Sequence, residues 1–183
     1  MNAFQLVLTD EEKRFCTDLI RYVIAHHLGQ AEGPKPALSS ETLNMELGAF
    51  VTLKRQGRLR GCIGNVVGNG PLVSTIERMA GAAAFEDPRF PPLTSEELDD
   101  LDIEVSVLGL ITPCPDPELI EIGRHGLYIR KSLHSGLLLP QVATEWGWDR
   151  ETFLDQTCVK AGLPKGSWRK SKVEIWWFEA VIF

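Results

Sequence analysis

The sequence predicts a single domain of mixed helices and antiparallel strands, and three observations carry that prediction. A capping box followed by an apolar stripe at helical spacing opens the chain, two alternating segments fold back on themselves as hairpins, and the final run is apolar on both faces. With 183 residues, 44% of them hydrophobic and 24% charged, the chain can bury a sizeable core, and one domain over 1–183 is expected, built from one or two lobes.

The elements follow in order. Thr9 and Glu12 form the capping box, after which Phe15, Leu19, Ile20, Val23 and Ile24 recur at helical spacing until Gly29. Residues 30–40, with Gly33, Pro34 and Pro36, read as a loop leading into a hairpin of Phe50 to Arg55, a Gln56-Gly57 turn, and Arg58 to Gly64. Gly68, Gly70 and Pro71 open a second helix whose Leu72, Ile76, Met79, Ala80 and Ala83 line one side. These glycines fit neither GxGxxG nor GxxxxGK[ST], so they read as a strand-to-helix turn rather than a phosphate loop.

Three prolines stiffen Phe85 to Pro92, which therefore holds Asp87 and Arg89 in defined directions, as a brace or as part of a site. Thr94 and Glu97 cap a short helix, and Ile103, Val105 and Val107 alternate as a strand. A second hairpin is expected from Leu127 to Lys131, a turn through His134-Ser135-Gly136, and Leu137 to Leu139. Pro140 to Trp146 and Arg150 to Ala161 read as helices, the second capped by Asp149 and stopped by Gly162. Val173 to Phe183, apolar on both faces, reads as a central strand of an antiparallel sheet. The five tryptophans can supply either core or interface, with core the preferred assignment.

The stretch that carries chemistry is Leu59-Arg60-Gly61-Cys62-Ile63-Gly64. Strand alternation puts Leu59 and Ile63 on one face and Arg60 and Cys62 on the other, so the thiol leaves the apolar side. A guanidinium beside a thiol favours the thiolate, and Gly61 and Gly64 let a ligand or another backbone come close. Two roles fit: a nucleophile or anion-binding thiol, and a small apolar filler. His125, ahead of a glycine at a strand entrance, fits a general base, a hydrogen-bond donor or a structural residue. Glu179 shares a face with Ile175, Trp177 and Val181 and must be partnered or reach solvent, with Arg60 one candidate partner.

Composition excludes several classes. A net charge of −6 repels nucleic acid and anionic membranes. The basic cluster of Lys165, Arg169, Lys170 and Lys172 reads as a solvated loop. Cysteines at 16, 62, 114 and 158 form no CxxC pair and no zinc spacing, so no metal is expected on them. With no signal peptide and no run long enough to span a bilayer, a soluble cytoplasmic chain with reduced thiols is expected.

Taken together, these landmarks resemble the AMMECR domain family, whose prokaryotic members are called system protein A of the AmmeMemoRadiSam trio. The resemblance runs almost end to end. It rests on the hexapeptide Leu59 to Gly64, on Asp87-Pro88-Arg89-Phe90-Pro91-Pro92-Leu93-Thr94 with Glu97-Leu98, and on Val105-Ser106-Val107-Leu108. His125-Gly126, Leu139-Pro140-Gln141-Val142-Ala143 and Lys160-Ala161-Gly162-Leu163 extend it. It implies an α+β fold of two unequal lobes, from non-contiguous segments, with an antiparallel sheet flanked by helices and the hexapeptide near a cleft between them. It also implies work alongside a Memo-like protein and a radical SAM protein, and it names no cofactor.

Two functions are open at this point. In a cysteine-dependent enzyme or substrate-handling subunit, Cys62 attacks or carries an electrophilic group, Arg60 stabilises the thiolate and an anionic substrate, and His125 moves a proton. Gly61, Gly64, Asp87, Arg89 and Glu179 would then contact substrate. In a non-catalytic adaptor, the chain docks on those partner proteins and presents a substrate.

Overall fold

A computed structural model describes residues 6–170 and 172–183. The chain divides into two compact units of non-contiguous segments. The larger takes Val7–Val107 and Val181–Phe183, and the smaller takes Leu6 with Leu108–Ala180.

In the larger unit, helix α1 (Asp10–His27) starts at the expected capping box, with the Thr9 side chain and the Glu12 backbone and carboxylate satisfying one another. Leu19, Ile20 and Ile24 on its inner face are fully buried. Between the segment expected as loop, residues 30–40, and the hairpin lies one short helix, α2 (Glu41–Asn44), which the sequence reading lacked; Ser40 caps it by accepting the Leu43 N–H. Strands β1 (Ala49–Arg55) and β2 (Arg58–Asn65) form the expected hairpin, and Gln56 (φ 51°) and Gly57 (φ 72°) both adopt the left-handed conformation that a two-residue turn requires. Helix α3 (Leu72–Phe85) packs across β1 and β2, with α1 against it. Thr94 and Glu97 form the expected capping box, here on a short 3-10 helix (Ser95–Asp100) that leads into β3 (Leu101–Leu108). Strand β3 pairs antiparallel with β1. Phe183 adds to the other side of β3 through reciprocal hydrogen bonds with Val105 at 2.8 and 3.1 Å.

In the smaller unit, the C-terminal strand β7 (Glu174–Ile182) is central as expected: over Trp176 and Trp177 it is flanked by β4 (Thr112–Pro113) and by β5 (His125–Lys131). Strand β6 (His134–Leu138) follows β5 after a two-residue turn at Ser132-Leu133. That corrects the turn expected at His134-Ser135-Gly136. Ser132 takes the positive φ, at 54°, and Leu133 is fully exposed. Gly136 serves packing instead, because a Cβ there would lie 2.3 Å from the Ala161 nitrogen. Helices α4 (Pro140–Glu145) and α5 (Arg150–Lys160) complete the unit, and α5 covers β5 and β6 over a core of Leu127, Ile129, Phe153, Leu154 and Cys158. Trp148, Trp168 and Trp177 pack against that core, whereas Trp146 is 70% exposed and departs from the core assignment.

Each unit is thus antiparallel strand plus helix, and the fold is α+β. Among the described residues no helix is long and apolar enough to cross a membrane.

Candidate functional site

The hairpin register decides where Cys62 points. From the Gln56-Gly57 turn, Arg55 faces Arg58 and Lys54 faces Leu59, a spacing that would continue to Leu53 opposite Arg60 and Val51 opposite Cys62. It does not continue. A one-residue bulge at Arg60 sets Leu53 opposite Gly61 and Thr52 opposite Cys62. Since Val51 is fully buried, the unbulged register would have turned the thiol into the core. With the bulge, Cys62 is half-buried beside Thr52, whose hydroxyl donates to Sγ at 3.3 Å. The bulge also corrects the expected partner of Ile63: Leu59 lies on the Lys54 side and is 42% exposed, whereas Ile63 faces the core opposite Val51.

The outer edge of β2 is closed by the proline-stiffened loop. The Cys62 N–H donates to Asp87 Oδ2 at 2.9 Å, and the Cys62 carbonyl accepts from Arg89 Nη2 at 3.2 Å. Asp87 also accepts from the Arg89 backbone N–H and from Nε at Oδ1, and from Nη2 at Oδ2. The carboxylate and guanidinium together stand where a neighbouring strand would stand, so the edge backbone is satisfied at the residue that carries the thiol. Arg89, followed by the Cys62 and Arg89 backbone amides, holds the Asp87 carboxyl well below the usual carboxylate range against its burial. The guanidinium is held charged in turn, chiefly by Asp87, with a smaller contribution from the Cys62 side chain.

Arg60 does not serve the thiol. Its Nε and Nη2 form a fork onto Glu97 at 2.7 and 3.0 Å, and its guanidinium carbon lies 6.0 Å from the centre of the Phe90 ring. Glu97 therefore caps its own 3-10 helix and anchors the bulge residue. The Arg60 hydrogen bonds, more than those from Thr94, lower the Glu97 carboxyl to about 2. Because that value lies below the ordinary 4.5, the pair adds stability that is complete above about pH 4.5 and lost as pH falls towards 2. Glu97→Gln is expected to remove this acid-dependent part, about 1–2 kcal/mol after solvent screening, from urea unfolding curves compared at pH 6 and pH 3. Equal slopes for the two proteins over that range would contradict the assignment.

Gly61 and Gly64 are close to protein rather than open to a ligand. A Cβ on Gly61 would meet the Ala83 carbonyl oxygen at 2.1 Å, and one on Gly64 would meet the Phe50 ring at 2.3 Å. The hexapeptide glycines thus let α3 and an aromatic ring lie on the strand.

His125 and Glu179 belong to the smaller unit. They are direct cross-strand partners on β5 and β7, with Trp177 diagonal to His125 and its ring 4.4 Å away. Glu179 accepts from Arg124 Nε at 2.7 Å, not from Arg60, which corrects the expected pairing: Arg124 also binds Glu121 and is the nearest guanidinium along the strand entrance. His125 Nδ1 accepts the Glu121 N–H at 3.0 Å, which in the neutral ring puts the proton on Nε2. Burial first, then Arg124, lowers the His125 pKa, so the ring is neutral at pH 7 and offers a donor. Gly126 next to it accommodates the Phe178 ring, which would lie 2.3 Å from a Cβ. The contacts of Cys62 lie within the larger unit and those of His125 within the smaller one.

The AMMECR1 family model matches residues 17–183, which include every candidate residue above. This chain belongs to the AMMECR1 family. A protein of Methanothermobacter thermautotrophicus is 42% identical, covering 96% of this chain and 95% of its own length. Protein TK0174 of Thermococcus kodakarensis is 44% identical, over 96% of this chain and 91% of its own. The crystal structure of uncharacterized protein PH0010 from Pyrococcus horikoshii matches with a TM-score of 0.85 at 40% identity, covering 96% of this chain and 92% of that one.

Within this AMMECR1 domain, the sequence reading missed Thr52, Glu97, Arg124 and Trp177 as partners of its candidates. Thr52 was hidden by the bulge, since counting back from Gln56-Gly57 sets it opposite Gly61. Glu97 had been absorbed by its capping role, although one carboxylate can accept both from a backbone and from a guanidinium. Among the described residues no group of three or more histidine, cysteine, aspartate or glutamate side chains is placed to hold a metal ion.

Proposed function

We propose that this AMMECR1-family chain is a cytoplasmic substrate-handling subunit, working with a Memo-like protein and a radical SAM protein that carry out the demanding chemistry. One observation supports this reading above others: the Cys62 thiol accepts from the Thr52 hydroxyl, the charged Arg89 is bound to the carbonyl of the same residue, and among the described residues no base is hydrogen-bonded to the thiol. Such surroundings suit holding an anionic or electron-rich group and do not by themselves supply the proton acceptor that turnover by a cysteine nucleophile requires. The Asp87–Arg89 pair then acts as a positioning device, fixing the backbone on which the thiol sits.

The reading is tested by co-expressing the tagged chain with the two partner proteins and alkylating the thiols before and after assembly. Alone, Cys62 is expected to react at least about tenfold faster than Cys16 and Cys158, which are fully buried. Burial also pushes Cys16 up to about 12 and raises Cys158. In the complex Cys62 labelling is expected to slow, and Cys62→Ser is expected still to assemble. Failure to associate with either partner, or a Cys62 as inert as Cys16, would overturn the proposal. A cysteine-dependent enzyme is the second reading, favoured by the charged guanidinium beside the thiol. It requires an adduct on Cys62, visible as an intact-mass increase that Cys62→Ser lacks.

A further inference from the structure

The smaller unit contains a cavity of about 370 Å³, within the size range of small-molecule sites. Its apolar lining includes Trp177 together with Leu110 and Leu119, which are 52% and 53% exposed. Its polar lining is Thr112, Glu121, Arg124, His125 and Glu179.

The charges in that lining do not cancel. Arg124 is engaged by both carboxylates, Glu121 at 2.9 Å and Glu179 at 2.7 Å, so one guanidinium faces two carboxylates and the ring of His125 is neutral. An anion entering here would meet one excess negative charge and an arginine already paired, whereas a cation would be complemented. Trp177 adds the face of an indole, a surface that attracts cations, while its own N–H is taken by Thr112 Oγ1 at 3.1 Å. His125 is only 7% exposed, and with Nδ1 occupied it has a single unpartnered group, Nε2–H, to offer. That donor opens on the cavity, where a ligand oxygen can accept from it.

We propose that this cavity is a binding site for a small organic cation, an amine on an aromatic body that also carries an oxygen acceptor. The ammonium lies against Glu121 and Glu179, the ring against Trp177 and the two leucines, and the oxygen accepts from His125 Nε2. This site is assigned independently of the role of Cys62.

Three probes of one shape and different charge test it on the full chain: tyramine, 4-ethylphenol and 3-(4-hydroxyphenyl)propionate, titrated while the Trp177 indole N–H and the His125 ring are followed by NMR. Tyramine is expected to shift both signals saturably and to bind about fivefold or more tightly than 4-ethylphenol, with the propionate weakest. Glu179→Gln is expected to erase most of the tyramine advantage while leaving 4-ethylphenol within about twofold. Glu121→Gln, at a more exposed position, gives the same readout should the first variant fold poorly. Equal or tighter binding of the propionate, or no saturable shift from any of the three at millimolar concentration, overturns the proposal.

Discussion

Gly61→Ala is expected to destabilise the chain by about 3 kcal/mol or more, the largest effect of any single methyl group that can be added to the hexapeptide outside its bulge. The added Cβ would lie 2.1 Å from the Ala83 carbonyl oxygen and 3.1 Å from its carbon, both backbone atoms of α3, so no side-chain rotation relieves the clash. Either α3 lifts from β1 and β2, opening the core around Leu72, Ile76 and Leu53, or β2 shifts and disturbs the bulge that aims Cys62. For a chain of this length such a loss corresponds to roughly 6–12 °C in Tm. Gly81→Ala on the same helix is the control, because a Cβ there meets nothing within 4 Å and alanine is the better helix former by about 0.5–1 kcal/mol. Urea unfolding of the two variants should move in opposite directions. A Gly61→Ala protein as stable as the parent would mean that β2 and α3 are not packed as described.

The same glycine shows how far the sequence could be read. Strands, hairpins and helices were legible because each carries a local signature: the Thr9 and Thr94 boxes, the Gln56-Gly57 turn, the Asp149 cap. A glycine in a strand signals close approach but not what approaches, and only the folded chain shows that the space belongs to Ala83. The face of Cys62 was legible from alternation, yet for an incomplete reason, since without the bulge at Arg60 the register from the turn would have buried it. Ion-pair partners were not legible. Arg60 with Glu97 and Glu179 with Arg124 are separated by 37 and 55 residues, and nothing local distinguishes those carboxylates from the other acidic residues of an acidic chain. The turn at Ser132-Leu133 was missed because Gly136 nearby looked like the natural turn residue, whereas packing against α5 requires it.

Asp87→Ala is expected to cost about 2–3 kcal/mol and to loosen β2 locally by more than that figure suggests. The substitution leaves the Cys62 N–H without its acceptor on the sheet edge and leaves Arg89 the Cys62 carbonyl as hydrogen-bond acceptor, beside the Phe90 ring 5.6 Å away. Asp87 is 4% exposed, so water does not simply replace the carboxylate. Amide exchange at Cys62 should accelerate by one to two orders of magnitude in Asp87→Ala, while Val51 and Val105 at the sheet centre change only with global stability. Asp87→Asn keeps an acceptor but loses the charge opposite Arg89, and is expected to fall between parent and alanine variant. The acid dependence has a definite sign. The folded Asp87 carboxyl titrates below its unfolded value, so the clamp contributes fully above about pH 4 and is lost only as the pH falls through the folded value. That value lies lower than the one at which Glu97 lets go of Arg60, so acid should release the bulge anchor first and the edge clamp second. In the parent, Cys62 amide protection followed as the pH is lowered to about 2 should therefore outlast the Arg60–Glu97 contribution to stability. Loss of both together, or an Asp87→Ala protein whose Cys62 amide exchanges as slowly as before, would show that the loop does not hold the strand that presents the thiol.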